Sequence, residues 1–253
     1  MAKIVSIHSF RGGTGKSNLT ANLAATLASR GQRVAVIDTD IQSPGIHALF
    51  GLDEDRIKRA LNDYLRGTCR IEETALDVSD QLGAQRTAGG ALFLVPSSIR
   101  AGEITRILRE GYDVGRLNDG FSELVRQLRL DHLVIDTHPG LNEETLLSMT
   151  ISDVLLLVLR PDRQDFQGTA VAVDVARKLE VPSMYLVVNK APAAYDAAAL
   201  RQQVESAYKV PVAAYMEQSD EMLQLGSASL FCVRYPEHGY TREVEALATR
   251  VSA

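Results

Sequence analysis

The chain has 253 residues, 45 % of them hydrophobic, and a formal net charge of −5; that is enough apolar material for one sizeable core, and the charge excludes a surface that binds polyanions throughout. No apolar run reaches the roughly 18 residues that a membrane-spanning helix needs, and Cys69 and Cys232 match no zinc or redox spacing, so reduced structural thiols are expected. The first strand begins almost at once, which leads us to expect no signal peptide and a cytoplasmic protein.

That strand is carried by Ile4, Val5 and Ile7 and stops at Ser9. Gly12, Gly13 and Gly15 come next, then Lys16 and Ser17, and from Leu19 the apolar spacing turns helical through Leu23, Ala24 and Leu27. Strand, glycine-rich turn and helix in this order form an anion cradle. Glycines let successive backbone N–H groups turn inward, and the helix adds its positive end. A triphosphate is the natural occupant, with Lys16 reaching its outer phosphates and the Ser17 hydroxyl ligating the bridging Mg2+.

After a turn at Gly31, Arg33–Asp38 reads as a strand buried on both faces, the mark of a parallel sheet. Asp38 and Asp40 fall at its carboxyl end, where open α/β sheets place their ligands. Residues 46–70 carry mixed charges and scattered apolar positions (Ile57, Leu61, Leu65), predicting short surface helices, and 77–90 predicts a loop or exposed hairpin. A strand at Ala91–Val95 and a helix at Val114–Arg129 follow. Between Arg100 and Arg129 six arginines balance five acidic residues, which suits a solvated helix face better than a nucleic-acid patch. His132–Asp136 is an apolar strand ending in a carboxylate, the arrangement that orients Mg2+ beside a phosphate loop. Pro139 and Gly140 in the next segment allow it to rearrange, and His138 there is a candidate base. A strand at Asp153–Leu159, a helix at Phe166–Leu179 and a strand at Met184–Val188 lead to Asn189 and Lys190. A helix at Asp196–Tyr208, a strand at Val212–Tyr215 and a neutral helix at Arg242–Val251 complete the chain. In the last of these, Val244, Leu247 and Val251 share a face that should pack on the domain.

The usual GxxxxGK[ST] pattern fails at Phe10, and what stands is Arg11, Gly12, Gly13, Thr14, Gly15, Lys16, Ser17. This resembles the deviant phosphate loop KGGxGK[ST] of the ParA/MinD family of partition-type ATPases, with Arg11 in place of the signature lysine. The resemblance implies one α/β domain over residues 1–253, a P-loop fold with a mostly parallel twisted β-sheet and helices on both faces. It implies ATP/ADP and Mg2+ as cofactors, nucleotide contacts from Arg11 through Asn18, and a purine contact from Asn189. By the same resemblance Asp40 positions or deprotonates the attacking water, Lys16 and Arg11 act in catalysis, and Ser17, Asp38 and Asp136 serve the metal. For Asp38 a second reading stays open, a cap on the short helix after Pro44. In relatives a segment corresponding to that after Val212–Tyr215 closes over the base; Met216 stands where they commonly have proline.

In the family the signature lysine reaches across a dimer interface to the partner's phosphates. Arg11 has similar reach and a two-pronged guanidinium; the alternative is that it pairs with a nearby carboxylate and leaves hydrolysis slow. The expected function is thus an ATPase that dimerises with ATP, responds to a stimulating partner protein, and positions or partitions a cargo. The different-class alternative is a non-hydrolysing nucleotide-gated scaffold. Non-specific DNA binding and nucleoid association are further family traits, although no concentrated Lys/Arg run carries them here. Direct membrane anchoring is not expected, because the last helix lacks net positive charge. A cluster carrier would need paired cysteines, and neither cysteine stands in a CxxC.

Overall fold

The computed structural model describes residues 2–253. In chain order the strands are β1 (Lys3–His8), β2 (Arg33–Asp38), β3 (Leu76–Asp77), β4 (Ala91–Val95), β5 (His132–Asp136), β6 (Val154–Leu159), β7 (Ser183–Ala191) and β8 (Val212–Glu217). The α-helices are α1 (Lys16–Ser29), α2 (Leu61–Leu65), α3 (Ala101–Glu110), α4 (Val114–Leu128), α5 (Glu143–Thr150), α6 (Arg163–Lys178), α7 (Ala197–Tyr208), α8 (Asp220–Leu225), α9 (Phe231–Arg234) and α10 (Gly239–Ser252). The strands form a single sheet in the order β3-β4-β2-β5-β1-β6-β7-β8. Every neighbouring pair is parallel except the two-residue edge strand β3 against β4.

Alternation along the strands explains the layers. Val34, Val36, Leu156 and Val158 join one core with α1 and α10, while Leu155, Leu157 and Leu159 pack with α6 and α7. Ala35, Ile37, Leu133 and Ile135 pack with α2 and α4 on that second face. Both faces of each central strand are therefore covered, which is why these strands read as continuous apolar runs. The α/β P-loop architecture expected from the sequence is the one observed. Strand β1 lies at the centre between β5 and β6, so its loop opens between elements fanning out on both sides, the position at which ligands bind in such sheets.

Several boundaries and environments differ from expectation. Residues 46–70 include the short helix α2 as expected, with 53–56 exposed, but the segment is tied in more deeply than its charges suggest: Ile57, Leu61 and Leu65 are buried, and the buried Asn62 accepts the Ser98 backbone N–H at 2.8 Å. Helix α3 was hidden in the arginine-rich stretch because only Ile107 of its ten residues is buried. Helix α6 starts three residues before Phe166, where the Asp162 carboxylate caps the N–H groups of Gln164 and Asp165. Strand β7 continues through Asn189 and Lys190 to Ala191. Helix α10 buries Val244, Leu247 and Val251 as expected. Among the described residues no helix is long and apolar enough to cross a membrane.

Candidate functional site

The turn after β1 has the geometry of an anion cradle. Gly13 and Gly15 hold φ of +79° and +91°, the left-handed region that side chains resist. At Gly15 a Cβ would also come within 2.4 Å of Asn189 Nδ2, so two independent constraints require glycine there. Among the described residues, no backbone N–H from Gly15 to Asn18 donates to another protein group, and the first intrahelical bond is Leu19 N–H to Gly15 O at 3.0 Å. Such a row of unpartnered donors at a helix start suits phosphate oxygens. Helix α1 begins at Lys16, so the loop's last residues are already its first turn.

Charged side chains converge from three strand ends. Lys16 Nζ lies 2.8 Å from Asp136 Oδ1, both side chains buried, and the Thr20 hydroxyl donates to the same oxygen at 3.0 Å. Asp38 stands beside Asp136 in the β2–β5 register. Its Oδ1 accepts the Asp40 N–H at 3.0 Å, while Oδ2 is buried without a partner. Burial, and then the Asp136 charge, push the Asp38 carboxyl well above the usual carboxylate range. Asp40 is raised as well, chiefly by burial and against the pull of His138 and Lys16; its Oδ1 is 3.7 Å from His138 Nε2. Asp40, His138, Lys16, Ser17, Gly13 and Lys190 all line one open cavity of about 360 Å3. The oxygens of Asp38, Asp136 and Ser17 are of the hard type Mg2+ prefers, while among the described residues no three His, Cys, Asp or Glu side chains are grouped as a metal site.

Other expected residues occupy less simple positions. Asn189 faces the loop, but its amide is engaged there: Nδ2 donates to Thr14 O at 2.7 Å and Oδ1 accepts the Lys190 N–H at 2.9 Å. A cavity of about 130 Å3 opens beside it, lined by Gly15, Asn18, Lys190, Met222 and Tyr240. Met216 is buried in the core, and the cavity wall on that side is Glu217, Gln218 and Ser219. Arg11 is 41 % exposed, its Nε 3.8 Å from the buried Asp165 Oδ1. Cys69 is half-buried and Cys232 buried, both as free thiols.

Sequence reasoning missed Thr20, Asp165 and His8. For Thr20 a signal existed, since it lies one helical turn beyond Lys16 and shares its face. His8, at the end of β1, is fully buried. Thr137 Oγ1 must give its one proton to Ile7 O, 3.0 Å away, so His8 Nδ1 is the donor in the 2.9 Å bond to that hydroxyl. Nε2 is left as a buried, unpartnered lone pair. Burial, then the Lys16 charge, lower the His8 pKa to about 3. The unfolded chain therefore takes up this proton below pH 6.5 while the folded one does not, and the stability present above that pH is lost as pH falls towards 3. Replacing His8 by asparagine, which keeps the donor, is expected to reduce the stability lost between pH 7 and pH 5 by about 2 kcal/mol, read from urea unfolding at both pH values.

A family profile described as the CobQ/CobB/MinD/ParA nucleotide binding domain matches residues 5–228. An uncharacterized ATP-binding protein of Methanocaldococcus jannaschii is 22 % identical over 254 residues, spanning 99 % of this chain and 88 % of the relative. The flagellum site-determining protein YlxH of Helicobacter pylori is 26 % identical over 187 residues; the match takes in 74 % of this chain but 58 % of that protein. Among solved structures, the septum site-determining protein MinD of Pyrococcus horikoshii, complexed with Mg-ADP, superposes with a TM-score of 0.78 at 21 % identity, covering 99 % of this chain and 96 % of that one.

Proposed function

The chain belongs to the CobQ/CobB/MinD/ParA nucleotide-binding domain family, and from that premise we propose that it is a magnesium-dependent ATPase in which ATP joins two copies and hydrolysis parts them, a switch for positioning or partitioning an intracellular cargo. One arrangement supports this most directly: unpartnered loop amides, a buried lysine and three carboxylates meet at the carboxyl ends of β1, β2 and β5. Relatives described as site-determining and as Mg-ADP-bound lend it further support.

Within one subunit, Lys16 exchanges Asp136 for the outer phosphates. Asp136 and Ser17 are then free to hold the metal, with Asp38 ordering its water shell. Bound magnesium would neutralise charge that builds on the phosphate oxygens. Asp40 orients the attacking water and accepts its proton; its half-buried position and raised pKa favour that role. Arg11 completes the site of the partner subunit. A partner protein accelerates the reaction by holding the segment around Pro139 and Gly140 in its reactive form.

Size-exclusion chromatography with light scattering tests the switch. Wild type should be a monomer with ADP and a dimer with ATP, and Asp40→Ala should stay dimeric with ATP while hydrolysis falls by about 10²–10⁴-fold. A monomer under every condition would overturn the dimerisation switch. A stable ATP dimer with no phosphate release, even from wild type with its stimulating partner, would instead identify a nucleotide-gated scaffold.

A further inference from the structure

Among the described residues five other than glycine have positive φ, and of these Lys190, at +55°, is the one that lies inside a β-strand. Arg129 and Lys209 are C-caps of helices, Glu180 follows the end of α6, and Ser227 follows α8, all places where the left-handed conformation is ordinary. Around Lys190 the register of β7 against β8 shifts between Val188 and Ala191, as at a bulge. Bulges re-aim side chains and cluster next to functional sites, and a strained backbone persists only where its surroundings impose it.

Here the bulge turns two consecutive side chains onto the phosphate loop. Asn189 binds Thr14 O as described, and Lys190 Nζ donates to Gly13 O at 2.8 Å. A Cβ at Gly15 would meet Asn189 and approach Lys190 Cε to 3.6 Å, so two successive loop residues are hydrogen-bonded from β7 and the next has no room for a side chain. The grip occupies the carbonyls of Gly13 and Thr14 with donors from β7. Burial, with the Arg160 charge adding to it, lowers the Lys190 pKa, as befits an ammonium group drawn against protein. Lys190 lines both the phosphate cavity and the cavity beside Asn189.

We propose that Lys190 is a positioning residue that presets the phosphate loop from the base side of the site, acting through the Gly13 carbonyl. This rests on the nucleotide-site reading above. Its consequence is specific: a residue on the base-side strand governs affinity for a ligand that has no base.

The test uses full-length protein and three variants of this position. Lys190→Gly removes the side chain but accepts φ of +55° without strain, Lys190→Arg keeps the cation, and Lys190→Met keeps the apolar stem. Magnesium tripolyphosphate and Mg-ADP are the probes. Lys190→Gly and Lys190→Met are expected to bind both about tenfold more weakly, as loss of a charge-assisted hydrogen bond implies, and Lys190→Arg to recover most of the loss. In ligand-free protein, the backbone amide order parameters of Gly13 to Lys16, read by NMR relaxation, should fall in Lys190→Gly and Lys190→Met. Tripolyphosphate affinity unchanged in Lys190→Gly overturns the proposal. So do unchanged order parameters with weakened binding, because Lys190 would then touch the ligand directly. If wild type binds neither probe, the nucleotide reading itself falls, and the proposal with it.

Discussion

Replacing Lys16 by alanine is expected to lower the stability of the nucleotide-free protein by about 3–5 kcal/mol, the cost of leaving a buried charge uncompensated. The side chains of Lys16 and Asp136 are 7 % and 1 % exposed, and Asp38 lies beside Asp136 with its carboxyl pKa already raised. Without the ammonium group, Asp136 keeps only the Thr20 hydroxyl and faces a second buried carboxyl group. Asp136→Asn in the Lys16→Ala background should therefore restore stability by more than 1 kcal/mol in urea unfolding, on the order of one charge-assisted hydrogen bond. The same lysine is expected to contribute about 100-fold to Mg-ADP affinity, so Lys16→Ala needs both measurements. The double variant separates them, because it regains stability without regaining the affinity. Full stability in Lys16→Ala would contradict the buried pair, and full Mg-ADP affinity would remove Lys16 from the phosphates.

On the proposed function, the buried pair also couples the two ligands. Lys16 leaves Asp136 only when another anion replaces the carboxylate, and Asp136 is then a buried carboxylate in need of a cation. Phosphate and magnesium each relieve the cost that the other's arrival imposes on this pair.

Much of this centre could be read from the chain because its determinants are local. Gly12 to Ser17 carry their geometry in sequence, since only a strand on one side and a helix on the other make that glycine spacing useful. Asp38 and Asp136 could be placed because parallel strands present their carboxyl ends together. What escaped the reading depends on residues far apart in the chain. Nothing near Lys190 signals that its ammonium group reaches Gly13, or that Asn189 spends its amide on Thr14. In residues 46–70 the short helix α2 was legible, since Leu61 and Leu65 lie one turn apart and share a core, whereas Ile57 packs into a different core from a turn that no local period marks. Phe10 broke the usual motif, yet its ring occupies the space where Gly168 has no side chain; a Cβ there would come within 2.2 Å of Phe10 Cδ1. The first position of the loop is thus fixed by packing on α6, a contact that no local pattern encodes.

Replacing Arg11 by alanine is expected to slow ATP hydrolysis by about 10³-fold, the lower end of what an arginine finger supplies, while leaving ATP-dependent dimerisation in place. In one subunit Arg11 is close to Asp165, but that carboxylate is already satisfied. Arg160 grips it with Nε and a terminal nitrogen at 2.9 and 3.0 Å and with its backbone N–H at 2.9 Å. Burial would raise the Asp165 carboxyl, and the Arg160 bonds together with both guanidinium charges hold it below the usual range instead. The 3.8 Å approach of the 41 % exposed Arg11 adds little to this, as exposed ion pairs do, so swinging the guanidinium outward costs little. Phe10 meanwhile anchors the root of the side chain on Gly168. A free guanidinium on a fixed root, next to the phosphate loop, is suited to reach another subunit's phosphates. Mixing two inactive variants decides between reach across the interface and action within the subunit. Arg11→Ala retains Asp40, and Asp40→Ala retains Arg11, so a mixed dimer contains one complete site only if Arg11 acts in trans. Equal amounts should then recover about one quarter of the wild-type rate, because half the dimers are mixed and each holds one working site of two. If Arg11 serves its own subunit, or serves only to pair with Asp165, the mixture stays as inactive as its components.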